Sequence, residues 1–245
     1  MNTLFLAWQA PRPTRAWFPI GRLDAEDHHF VFRYTGGAIK AQREAGFDAL
    51  IAFPDLKRRY EADELFPLFK NRLLDSNRKD FAEYLSWLDL DPRQADPVEI
   101  LGLTGGERET DSLEVFPKLE KRVDGSICSR FFLHGLRHVA PEAQTRAKRL
   151  VPGERLQVAI EVNNPATGFA IQLQTNDGHL IGWAPRYLVE DLRQGLVEPS
   201  AVQAEVRRIN EVGAPFARRV LIELRCGLPS TFEPMTSSDY KVLTP

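Results

Sequence analysis

Aromatic and aliphatic residues open the chain in short alternating runs. Leu4–Trp8 and Ala16–Leu23 read as strands joined by the proline-marked APRPT turn. Phe30, Phe32 and Tyr34 then alternate along HFVFRYTGG as a third strand ending at Gly36–Gly37, and Ala38–Ala45 fits a helical turn or a loop. The apolar spacing next becomes helical. Leu65, Leu68, Phe69 and Leu73 form a stripe within Glu61–Leu74; Arg78–Leu88 follows with Ser76 or Asn77 available as its N-cap, and Val98–Thr104 is a third helix closed by Gly105–Gly106. Asp111–Phe116 reads as a closing strand. These elements predict an α+β domain over residues 1–117.

The segment PKLEKRVDGS has no apolar period and carries a proline and a glycine, which predicts a linker at residues 118–127. Six short apolar or alternating runs follow: Phe131–Val139, Arg155–Glu161, Phe169–Gln174, His179–Trp183, Ala201–Arg208 and Val220–Leu224. Glycine- and proline-marked turns separate them, and one helix, Pro185–Gln194, interrupts them. The pattern predicts a small all-β domain over residues 128–228, a closed or nearly closed antiparallel barrel with one short helix. The polar, proline-marked stretch 229–245 is expected to lie extended or to fray.

A chain of 245 residues holds two such domains, each able to bury a core without staples. No apolar stretch approaches the roughly 20 residues of a membrane span, and no basic segment precedes LFLAW, so neither insertion nor secretion is expected. Cys128 and Cys226 lie far apart without metal-ligand or redox spacing, which fits a reducing cytoplasm. Phosphate-loop, dinucleotide, metalloprotease and nucleophile-elbow signatures are missing, so neither catalysis nor a cofactor is expected. His28 and His29, beside Asp24, Glu26 and Asp27, would point to opposite faces of a strand, and a polar loop is a better reading than a metal site. The net charge of −2 is unevenly spread: −4 over residues 1–127, +3 over 128–228 and −1 over the rest. The barrel is therefore the place to look for a phosphate partner. Seven of its thirteen basic residues fall in the runs Arg146–Lys148–Arg149, Arg207–Arg208 and Arg218–Arg219, a backbone track if they share one rim.

Within the barrel region the order of FFLHGLRH, PGERL, NNPATGFAI and GWAPR resembles the HIRAN family over about Cys128–Leu228. The resemblance implies an OB-like barrel and binding of single-stranded DNA, or of its 3′-hydroxyl end, by an adaptor or targeting module. Carried over by motif, the site comprises Arg137 and His138 of GLRH, Asn163 and Asn164 of NNP, Trp183 and Arg186 of GWAPR, and the late aromatic Phe216. At the two positions after NNP the family carries an aromatic or valine and then an acidic residue. Here they are Ala166 and Thr167; threonine accepts a hydrogen bond without bringing charge, and alanine does not stack. Arg137 and Arg186 suit bidentate contact with phosphate, and His138, Trp183 and Phe216 suit base stacking. Each residue has a plainer reading too. NNP makes a good turn without a ligand, and Trp183 on an alternating strand suits a core as well as a platform.

Residues 1–117 carry a second resemblance. FVFRYTGGA, GFDALIAFPDL, ELFPLFKNRLL and PVEILGLTGGERETDSLEVFP are similar to the N-terminal subdomain of HipA-type kinases, although GGERETDSLEV departs from that family's GGD element. No kinase core follows. This resemblance implies a partner rather than an activity: a regulatory subunit docking on a separately encoded kinase core in a toxin–antitoxin-type system.

Overall fold

The computed structural model describes residues 2–108, 110–165, 167–195, 201–211 and 213–244. Its architecture is mostly β, with two antiparallel sheets and few helices. The chain divides into two compact units, one made of Met1–Leu85, Leu90–Lys118 and Met235–Pro245, the other of Ser86–Asp89 and Leu119–Pro234.

In the first unit β1 (Asn2–Gln9), β2 (Trp17–Glu26), β3 (His29–Tyr34), β4 (Tyr60–Ala62) and β5 (Leu113–Pro117) form a sheet of order β4-β3-β2-β1-β5. The register aligns Tyr60, Phe32, Leu23, Leu4 and Pro117 across it. Directly opposed residues share a face, so this row turns apolar side chains towards Phe47, Phe53 and Phe69, which close the core. Helix α1 (Gly36–Ala45) packs on β2, and α4 (Pro97–Thr104), capped by Asp96, packs on β1 and β5. The polar loop read at His28 is a tight turn in which Asp27 and His28 both take left-handed backbone angles (φ 45° and 65°). Two short helices lie between: α2 (Pro67–Lys70) and α3 (Phe81–Trp87).

Three expectations are corrected. The stripe within Glu61–Leu74 is helical only at Pro67–Lys70, because Arg72 turns its guanidinium back to the Leu68 carbonyl (3.1 Å) and on to the Gly106 carbonyl (2.7 Å), ending the helix there. Residues 229–245 do not fray. Gly36 N–H donates to Lys241 (2.8 Å), Leu243 N–H donates to Tyr34 (2.9 Å), and the Tyr240 ring meets Phe5 edge-on at 4.8 Å. Gly36 permits this contact, since a Cβ there would lie 2.2 Å from the Ser238 carbonyl oxygen. Residues 118–127 are no free linker either: Leu119 is buried, and Lys121 Nζ donates to the carbonyls of Pro229, Ser230 and Phe232 at 2.9–3.1 Å.

The second unit holds β6 (Ser126–Phe132), β7 (Arg155–Asn164), β8 (Gly168–Thr175), β9 (Leu180–Trp183), β10 (Val202–Ile209) and β11 (Val220–Gly227), in the order β6-β11-β10-β7-β8-β9. Beyond β6, Leu133 N–H donates to Val220, and His134 exchanges two backbone hydrogen bonds with Trp183 (3.0 and 2.9 Å). That bridge joins the first strand to the last, so the sheet closes on itself as a barrel. Ile127, Phe131, Ile171, Leu173, Ile181, Val206, Ile222 and Leu224 fill the interior. The strand read as Phe131–Val139 is shorter than expected. Gly135 takes φ 73°, and Leu136–His138 is a 3-10 turn. Among the described residues the barrel also carries two short α-helices, where one was expected: α5 (Pro141–Ala147) and α6 (Val189–Gly195). Helix α5 escapes an apolar pattern because its only buried residues are Ala143 and Ala147.

Candidate nucleic-acid interface

The register places His134, Trp183 and Gln172 in one row, with Ala159 next to them on β7; Glu161 lies two residues further along the same face of β7. Trp183 Nε1–H donates to Glu161 Oε2 at 2.8 Å, and Asn164 Nδ2 donates to the same oxygen at 3.0 Å. The Asn164 side-chain oxygen then accepts from the Thr167 N–H (3.1 Å) and hydroxyl (3.0 Å), fixing the hairpin that follows. Hydrogen bonds from Asn164, then Trp183, hold the Glu161 carboxyl below its ordinary range, with Gln172 adding to them. One carboxylate thus ties a strand, a hairpin and an indole together.

The benzo edge of Trp183 lies against Gly135, where a Cβ would come within 2.5 Å of the ring. Only glycine combines that approach with the left-handed backbone found there. The turn it starts carries Arg137 and His138 on the surface, and Arg137 Nε–H donates to His138 Nε2 at 2.9 Å. Arg186 stands exposed on the 3-10 turn just after β9.

The structure therefore gathers Asn164, Thr167 and Trp183 into one bonded group, and sets Arg137 and His138 on the turn that packs against it. Asn163 is exposed at the end of β7, so the asparagines close a strand, and Pro165 and Thr167 are turn residues. Ala166 lies outside the described residues. Phe216 is 47% exposed on a separate 3-10 turn leading into β11. The basic runs do not form a free track. Arg146 bonds Glu154 and Asp177, Arg207 bonds Asp89 at 2.9 Å, Arg208 bonds Asn210 at 3.0 Å, and Arg219 bonds the Ala214 carbonyl at 2.7 Å. Among the described residues no group of histidine, cysteine and acidic side chains is arranged to hold a metal, and no helix is long and apolar enough to cross a membrane.

No protein family and no curated protein matches the sequence. Two solved structures do. The HIRAN domain of human HLTF matches at 19% identity and a TM-score of 0.31, over 45% of this chain and 79% of that one. A Lactobacillus plantarum protein, a structural genomics target, matches at 16% identity and a TM-score of 0.32, over 42% of this chain and 97% of its own. Neither lends support to the HipA-type resemblance of residues 1–117. At these scores the interface stands on the chain's own geometry.

Sequence reasoning passed over Glu161, Gly135 and His134. An acidic residue three positions before Asn164, inside the short apolar run VAIEV, was a signal for the first. His134 shares a face with Trp183 and keeps one side open to water. Loss of water around the ring, with the nearby Arg186 charge, pushes its pKa down to about 4. The unfolded chain takes up this proton near pH 6.5 and the folded chain does not, so stability falls as pH drops from about 6.5 towards 4. Urea midpoints of wild type and His134→Asn at pH 7.5 and pH 5 are expected to show the larger acid loss in wild type. Equal losses would contradict the assigned environment.

Proposed function

We propose that this chain is a non-enzymatic nucleic-acid-binding protein whose barrel takes single-stranded DNA, or the 3′ end of a DNA strand, and serves as a targeting or adaptor module. The observation that carries the reading is the Trp183–Asn164–Thr167 group bonded through Glu161, set beside the Arg137–His138 turn. A half-buried indole offers a stacking surface, and surface arginines offer forked donors to phosphate. The GLRH, NNP and GWAPR motifs support it. Thr167 gives its proton to Asn164 and keeps its oxygen lone pairs for an incoming hydroxyl.

Fluorescence anisotropy with matched single strands bearing a 3′-hydroxyl, a 3′-phosphate or no free end tests this function. Tighter binding of the free hydroxyl is expected if the Thr167 hairpin receives the end. Equal binding of all three strands would reduce the function to general single-strand contact, and no binding would overturn it.

A further inference from the structure

A carboxylate is an unexpected neighbour for phosphate. Glu161 stands in the middle of the proposed interface, and by charge alone it repels the ligand that the surrounding residues suit. Its bonds suggest why it is there. A single oxygen, Oε2, accepts from the Trp183 indole on β9 (2.8 Å) and from the Asn164 amide at the end of β7 (3.0 Å), while Asn164 in turn holds both donors of Thr167. Trp183 on β9 and Asn164 at the end of β7 lie on strands separated by β8, and in this group the shared oxygen joins them directly.

We propose that Glu161 is the positioning residue of the interface, fixing the Trp183 indole and the Asn164–Thr167 hairpin in one arrangement before nucleic acid arrives. The inference rests on the single-strand reading of this face. Holding both parts in place beforehand removes an ordering cost from binding, and the like-charge repulsion is the smaller effect.

The sign of the effect separates positioning from charge. If Glu161 acted only through its charge, Glu161→Ala and Glu161→Gln would both tighten binding of a thymidine single strand. Positioning predicts a split. Because both bonds converge on one oxygen, the carboxamide oxygen of Glu161→Gln can accept both, and this variant should bind as tightly as wild type or more tightly. Glu161→Ala should bind about tenfold more weakly, the size of losing hydrogen bonds to a charged group.

The second readout needs no ligand. The Trp183 indole N–H signal in 15N NMR, assigned by its disappearance in Trp183→Phe, should move upfield in Glu161→Ala and stay near its wild-type position in Glu161→Gln. An unmoved indole signal in Glu161→Ala, or tighter binding by that variant, would overturn the positioning role. Failure of wild type to bind the strand would overturn the functional reading, and the role of Glu161 in binding with it, even where the indole signal moves as expected.

Discussion

Replacing Trp183 with alanine is expected to weaken single-strand binding by about 1–3 kcal/mol, roughly 5- to 150-fold in Kd, the range measured for loss of one base-stacking aromatic. The indole offers more than exposed surface. The Trp183 ring is half-buried, with one edge against Gly135 and its N–H on Glu161, so it is held in a defined orientation before ligand arrives. An ordered aromatic loses little freedom on stacking, and its surface contributes nearly in full. Trp183→Phe keeps a ring and loses the N–H, so it should retain most of the affinity. Anisotropy on both variants at one fixed salt concentration decides the matter, since the phosphate contribution varies steeply with salt. Equal affinity of wild type and Trp183→Ala would remove the stacking role.

The second large effect belongs to the other sheet. Phe32 is fully buried at the centre of the first unit, stacked on Phe53 with ring centroids 4.0 Å apart and 19° between planes. Tyr34 meets it edge-on at 5.3 Å and Phe69 lies at 6.0 Å. Truncation leaves a cavity among rigid rings that cannot collapse to fill it, so Phe32→Ala should cost about 3–5 kcal/mol. That is a large part of a domain's usual stability of about 5–15 kcal/mol. Denaturant unfolding followed by the fluorescence of Trp8 and Trp17, both in this unit, should show the loss. Strand binding should persist under native conditions, because every residue assigned to the interface lies in the second unit. A change under 1 kcal/mol would contradict the central place given to Phe32.

Much of this fold was legible because its strands carry the simplest pattern. Alternation at Phe30, Phe32 and Tyr34 and along Ile171–Thr175, and the short apolar runs around Ile181 and Ile222, mark strands that face a core. The misread elements are those where a distant partner decides. Arg72 ends a helix by reaching Gly106, and at the start of another only glycine leaves room at position 36 for the backbone of Ser238. Gly135 breaks a strand so that a turn can meet an indole 48 positions along the chain. None of these contacts leaves a local period.

The interface divides in the same way. Arginines and aromatics announce themselves by type, and motif order named Arg137, His138, Asn163, Asn164, Thr167, Trp183, Arg186 and Phe216 as candidates. Glu161 stands out in sequence only as an acidic residue in an apolar run, and its bonds depend on which strands lie beside β8 and in what register. The basic runs show the converse. They look like a phosphate track in sequence, yet most of their arginines are engaged by Asp89, Glu154, Asp177, Asn210 and backbone carbonyls.

The most direct test of the interface is a 15N NMR titration of the full chain with a thymidine strand of about ten nucleotides, a length within the site sizes of single-strand-binding proteins. Signals from Gly135–His138, Glu161–Thr167 and Trp183–Arg186, the Trp183 indole among them, should shift together and saturate together. Shifts confined to other surfaces, or none at strand concentrations well above those of ordinary nucleic-acid binding, would contradict the account.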